Sequence, residues 1–462
     1  MAETLKDKLF YQKKTVYELC SDEVIDAAYA YAEGYKKFLD HAKTERDAVT
    51  ASEKLAKNAG FRKYELGDKI EKGGKYYFIN RGKNIFLFRI GTEPIENGIR
   101  IAAAHIDSPR LDLKPCPLYE DGGLAMFKTH YYGGIRKYQW PTIPLAFRGV
   151  IVKADGTPVD FNIGEDAGDP QFYIDDLLPH LGREQSQKPL GTAIPAEKLN
   201  VVVGSRPIKD EDGGDLIKLN IMKLLNEKYG ITEEDFLSAE VCAVPAAMSR
   251  DIGFDRSLVG GYGHDDKVCA YPSLTAIMES KNTTHTLMTI LVDKEEIGSE
   301  GVSGMQNDLL VDLMDAIATE LGGRPAIVRA HSKCLSSDVT ANYDPNFADA
   351  FEIRNSSIIN CGISMCKYTG SGGKGGSNDA SAEFVGWVRR ALASEGVVWQ
   401  MAELGKVDFG GGGTVAKYIA KHNIDTVDMG VGVLAMHAPY ELISKVDLYE
   451  AHRAFTAFYD FE

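Results

Sequence analysis

The sequence predicts an α/β protein: a mixed sheet with helices on both faces, interrupted by a smaller β-rich domain. Three observations carry this expectation. From residue 264 onward, short Val/Ile/Leu runs alternate with helical runs, the pattern of a sheet covered on both faces. From about 110 to 245 the chain changes character, holding many of its prolines and several short β-rich stretches. At 462 residues the chain is too long for one ordinary core.

The elements follow in order. Residues 15–58 read as helical, because Val24, Ile25, Ala28, Tyr29 and Ala32 recur at helical spacing among charges. Residues 75–92 read as a hairpin turning at Arg81, Gly82, Lys83 and Asn84. Residues 99–104 form a short buried strand that ends at His105. The inserted domain is expected over 110–245, with strands near 147–152 and 199–203 and a polar middle over 166–189. A mobile or interface-forming loop is expected near 180–195. Beyond it, helices are expected over 268–279, 304–321, 380–394 and 414–422. Strands are expected over 286–292, 326–330 and 397–401. Residues 1–109 and 246–462 would then form one discontinuous domain around the insert. The glycine-rich stretches 370–376 and 410–413 read as loops, and no internal repeat is visible.

Composition excludes several function classes. The net charge of −15 argues against non-specific nucleic-acid binding, which needs a basic face. The chain has no apolar run long enough to predict a membrane span. Its charged first 14 residues lack the apolar stretch of a signal peptide, so the expected location is the cytoplasm. Seven scattered cysteines without a CxxC pair fit reduced thiols. A zinc-thiolate site is therefore not expected, and any metal should sit on His and carboxylate ligands.

Polar clusters follow the strand-like runs, where ligands of an open α/β sheet collect. In Ala104-His105-Ile106-Asp107, residues two apart face the same way, so His105 can bind a metal while Asp107 accepts its other ring N–H. A structural His–Asp pair is the plainer alternative. In Gly263-His264-Asp265-Asp266-Lys267, a carboxylate at a helix start can bridge two cations, or simply cap the helix. In Asp293-Lys294-Glu295-Glu296, the adjacent glutamates point to different sides. One can bind metal while the other takes a proton from metal-bound water; a solvated acidic turn is the alternative. Ser336-Ser337-Asp338 and Met436-His437-Ala438 complete the set. Together these His, Asp and Glu residues suit two divalent cations that share a bridging carboxylate and water.

The wording of the clusters resembles the M18 aspartyl aminopeptidase family of metallopeptidases, clearest at AAHIDSPRLDLKP, YGHDDKVCAY, DKEEIGSEG, SSDVTANYDPN and LAMHAPYEL. The resemblance runs from about residue 90 to the end of the chain. It implies a zinc-peptidase domain interrupted by a β-rich domain that mediates assembly. It makes His105 and His437 terminal ligands on opposite metals and Asp265 the bridging carboxylate, with Asp266 as the other option. Glu296 and Asp338 become the remaining ligands, Glu295 the general acid/base, and Asp107 the residue that orients His105. The implied cofactors are two divalent ions, zinc first, with cobalt or manganese as alternatives.

The implied reaction is hydrolysis of the N-terminal residue of peptides with a free N-terminus, acidic residues preferred. Lys374 is the candidate cation for an acidic side chain, a solvated lysine being the alternative. Family members bring a histidine from a neighbouring subunit near the site, and His180 sits in a similar local context. The stretch from Tyr131 to Tyr138 keeps the family's Tyr-Gly-Gly and then departs from it. That departure leaves a broader neutral preference, or another amide substrate on the same scaffold, as the alternative. Glycines 410–413 let backbone amides approach substrate, or form a helix-entry turn. Large homo-oligomers, often dodecamers, are the family habit.

Overall fold

A computed structural model of the chain describes residues 5–209 and 213–462. Residues 1–4 of the charged N-terminal stretch and 210–212 of the β-rich segment lie outside the described residues.

The N-terminal helical region divides into Val16–Leu19, Asp22–His41 and Glu45–Asn58. Thr15 and Thr44 start the first and third by accepting a backbone N–H from Glu18 and Asp47. The hairpin pairs Lys75–Asn80 with Asn84–Arg89. Its turn closes because Arg81 and Gly82 take the left-handed region, at φ 53° and 67°.

The hairpin opens a nine-stranded sheet. At its centre four neighbours run parallel: Thr286–Val292, Ile99–His105, Lys333–Ser336 and Asp425–Gly430. Asn84–Arg89 and Ile363–Cys366 flank this block antiparallel, so the sheet is mixed. Every residue of Ile99–His105 and Thr286–Val292 is buried, as expected for strands covered on both faces.

Alternate side chains feed two cores. Leu287 and Leu291 join one with Leu39, Leu274, Phe384 and Phe458; Met288 and Ile290 join the other with Met314, Val328 and Ile419. The helices His264–Glu279 and Lys445–Asp460 cover the first face, and Leu309–Glu320 covers the second. Leu291→Ala, at a fully buried position, is expected to lower unfolding free energy by about 2–5 kcal/mol in a urea titration.

One expected strand is a helix. Residues 326–330 lie in the helix Pro325–His331, and the strand comes next, at Lys333–Ser336. The run Ala326-Ile327-Val328-Arg329-Ala330 is too short for a periodicity that separates the two states. Pro325 decides it, since its fixed φ suits the first helical turn.

Residues 110–245 supply a second, six-stranded antiparallel sheet. Phe127, Trp140, Phe147, Phe161 and Phe236 pack together at its centre. Buried ion pairs join it to the N-terminal helices: Arg110 to Glu45 at 2.8 Å, and Lys43 to Glu165. Over 175–193 this segment leaves Leu177, Leu178, Leu181 and Leu190 exposed. Among the described residues no helix is long and apolar enough to cross a membrane.

Candidate metal centre

The parallel block delivers the predicted residues to one end of the sheet. His105 is the last residue of its strand. Glu295 and Glu296 form the 3-10 turn after Thr286–Val292, and Asp338 follows Lys333–Ser336 by two residues. His437 lies beyond Asp425–Gly430 in a loop, at φ 65°. These are the carboxyl ends of adjacent parallel strands, where a crevice opens. Asp265 enters from the first turn of His264–Glu279, where Asp265 and Asp266 depart from helical torsions and the bond between them is cis.

Asp265 sits between the two histidines. Its Oδ1 lies 3.1 Å from His105 Nε2 and its Oδ2 lies 3.2 Å from His437 Nε2. Asp338 Oδ1 is 3.8 Å from the same His105 nitrogen, and Glu296 Oε1 is 3.5 Å from the same His437 nitrogen. Two groups result, His105 with Asp265 and Asp338, and Asp265 with Glu296 and His437, each with its ligand atoms within 4.8 Å of one another. Asp266 faces neither imidazole edge. It is fully buried, and its Oδ2 accepts the His105 backbone N–H at 3.4 Å.

Backbone carbonyls fix both imidazoles. His105 Nδ1 lies 3.1 Å from the Asp107 carbonyl oxygen, and His437 Nδ1 lies 3.0 Å from that of Gly134. A carbonyl oxygen only accepts, so Nδ1 carries the proton in each ring. When unprotonated, each Nε2 is then an acceptor facing a carboxylate oxygen of Asp265. Two acceptors this close need a positive charge between them, a proton or a cation. Ligands at about 2.0–2.1 Å from zinc in a tetrahedron lie about 3.3 Å apart, close to the 3.1 and 3.2 Å between Asp265 and the two Nε2 atoms.

The electrostatics agree. No Lys or Arg lies within ion-pair distance of Asp265, Glu295, Glu296 or Asp338 among the described residues. Burial, then the charge of Asp338, pushes the Glu295 carboxyl up to about 8. Burial, then Asp265, pushes Glu296 well above the carboxylate range, and burial raises Asp338. Burial lowers the His437 imidazole, but Asp265 and Glu296 outweigh it and hold it up at about 11. Without metal the imidazoles thus act as counter-cations to crowded carboxylates, a role that divalent ions fill with more charge. Glu296 Oε1 is buried without a hydrogen-bond partner, a donor atom left open for such an ion.

Sequence reasoning passed over several supporting groups. The Glu441 carboxylate accepts the backbone N–H of His437 at 2.7 Å and that of Asp265 at 3.2 Å. Lys267 is fully buried and donates to Ser108 Oγ at 2.5 Å, while Ser108 donates to the Asp265 carbonyl at 2.5 Å. Glu441 stands four residues after His437, and its place in the HAPYE string is the one signal that could have found it.

A cavity of about 510 Å³ opens over Asp265, Glu295, Glu296, Asp338 and His437, and the loops 370–376 and 410–413 form part of its wall. Lys374 is on that wall, its Nζ 3.2 Å from Asp379 and 3.8 Å from the centre of the Tyr368 ring. His180 is exposed in the turn 179–181 and does not line the cavity of its own chain.

Imidazoles and carboxylates converging at the strand ends of a mixed α/β sheet are a donor set that fits a metallohydrolase. The chain belongs to the M18 family: the model of the Aminopeptidase I zinc metalloprotease (M18) family matches residues 38–459. It is 48% identical to a probable M18 family aminopeptidase 1 of Clostridium acetobutylicum, over 98% of this chain and 99% of that one. The crystal structure of an M18 family aminopeptidase from Thermotoga maritima superposes with a TM-score of 0.93 at 41% identity, over 98% of this chain and 100% of that chain. The S. cerevisiae mApe1 dodecamer shares the fold at 19% identity and a TM-score of 0.75, over 93% of this chain and 96% of that one. By family the chain is a metallo-aminopeptidase, an enzyme.

Proposed function

We propose that this chain hydrolyses the N-terminal residue of peptides at a pair of divalent cations, zinc first. The observation that carries the reading is Asp265, whose two carboxylate oxygens each face Nε2 of a different imidazole, each ring held at Nδ1 by a backbone carbonyl. His105, Asp265 and Asp338 would hold one ion; Asp265, Glu296 and His437 would hold the other. Ions held there would supply Lewis-acid chemistry, acidifying a bound water and polarising the scissile carbonyl. Glu295 lines the cavity outside both groups, so its carboxylate takes the proton of the attacking water and passes it to the leaving amine nitrogen. Asp107, against His105 Nδ1 at 3.3 Å, keeps that ring oriented.

Acidic N-terminal side chains would meet the basic wall at Lys374. One observation favours a second reading. Lys374 is already paired with Asp379 and seated on Tyr368, which fits a broader, neutral preference.

The β-rich segment 110–245 is proposed as a separate domain that mediates homo-oligomer formation, up to a dodecamer. Its exposed leucines over 175–193 support this, and assembly would bring His180 to a neighbour's cavity. Seven unpaired cysteines support a cytoplasmic location.

The test is initial rate on aminoacyl chromogenic amides of Asp, Glu, Leu and Lys, with an N-acetylated control. Rates are read before and after chelation and after zinc, cobalt or manganese add-back. Cleavage of free-amine substrates alone, abolished by chelation and restored by metal, is expected. Asp and Glu fastest supports the acidic pocket, and Leu fastest supports the second reading. Cleavage of the N-acetylated control, or none with any metal, overturns the aminopeptidase reading.

A further inference from the structure

We infer that Tyr132, Gly133 and Gly134, at the end of a strand of the six-stranded sheet, form a positioning strap that holds both metal groups in register. The inference rests on the metal reading above and extends it to residues outside the parallel block. Three consecutive residues make three separate contacts. The Tyr132 hydroxyl donates to Asp107 Oδ2 at 2.8 Å. The same carboxylate approaches His105 Nδ1 at 3.3 Å and accepts the backbone N–H groups of Glu295 and Glu296, each at 3.2 Å. Tyr132 therefore bears on the first group and on the turn that carries both glutamates.

Gly134 reaches the second group, its carbonyl accepting the His437 Nδ1–H at 3.0 Å. Gly133, at φ 74°, lies against Glu296 so closely that a Cβ there would come within 3.3 Å of its Oε2. A side chain at this point would be strained and would press on a proposed ligand. The strap is itself anchored. Arg110, paired with Tyr132 across the strands, lays its guanidinium 4.3 Å from the centre of the Tyr132 ring. Arg110 also binds Glu45 of the N-terminal helices at 2.8 Å. Burial, then the Asp107 charge, keeps the Tyr132 hydroxyl protonated, so it serves as a permanent donor.

The consequence is that Tyr132 sets metal affinity and kcat through Asp107 without touching substrate. Tyr132→Phe removes only the hydroxyl and keeps the ring under Arg110. The full chain is stripped of metal and titrated with cobalt, whose visible absorption reports ligand geometry. Expected is a 10- to 100-fold loss of affinity, about what a lost hydrogen-bond partner of a metal ligand costs, with an altered band shape. kcat should fall with KM little changed, and the melting temperature of the metal-free chain should stay within about 2 °C of wild type. The neighbouring Tyr131→Phe, with an exposed side chain, should match wild type. Cobalt affinity, spectrum and kcat all at wild-type values in Tyr132→Phe overturn the strap. So does an affinity loss matched by a collapse in metal-free stability, since that is a folding effect. A wild-type chain that takes up no cobalt overturns the metal reading itself, and the strap with it.

Discussion

Glu295→Gln is expected to lower kcat by about 10²–10⁴-fold while the chain keeps its full metal content. The substitution preserves the shape of the side chain and removes its capacity to take a proton. Glu295 lines the cavity but belongs to neither group of ligand atoms, so metal uptake should survive. Its backbone is held by Asp107, at 3.2 Å from the Glu295 N–H, and that contact does not depend on the side chain. KM should change little, because the loss falls on the chemical step. Steady-state rates and metal content by atomic absorption give the answer. A rate within a few-fold of wild type would assign the proton transfer to another group. Loss of metal would make Glu295 a ligand.

The second large effect is expected from Asp265→Ala. One carboxylate serves both groups, so its removal should weaken both metals at once, whereas loss of His105 or His437 alone strips a single group. Divalent cations held there would supply several kcal/mol of transition-state stabilisation, and each 1.36 kcal/mol is tenfold in rate, so activity should fall by about 10³-fold or more. Bound metal should drop from two equivalents toward none. Asp266→Asn provides the contrast. Burial holds the Asp266 carboxyl well above the carboxylate range, so the neutral amide imitates its protonated form, and both metals should remain. If Asp266→Asn loses the metals and Asp265→Ala keeps them, the bridging role belongs to Asp266.

How much of this is legible in the sequence depends on how local each cause is. His105 and Asp107 stand two apart at the end of an apolar run, and period-2 geometry places them on one side of the extended chain. Glu295-Glu296 come after the apolar run 287–292 with two residues between, and the strand Thr286–Val292 occupies that run. The hairpin is written in its Gly82 turn, and the mixed sheet in its alternating runs. Short apolar runs are ambiguous, which is why 326–330 reads as a strand while Pro325 starts a helix there.

What the sequence by itself determined is therefore the class of fold, the family wording and the donor types, because periodicity, turn residues and ligand chemistry are properties of neighbours along the chain. Only the tertiary structure decided which of two adjacent aspartates faces both imidazoles, since that depends on torsions imposed where the helix meets the sheet. It also decided that Lys374 is engaged by Asp379, and that Tyr132, at the end of a strand of the other sheet, and Gly134 just beyond it reach Asp107 and His437. These contacts join residues from 25 to more than 300 positions apart, except the Lys374 pair, whose loop conformation is set by its surroundings. Such distances in sequence are closed by packing of the two sheets, and no local pattern encodes them.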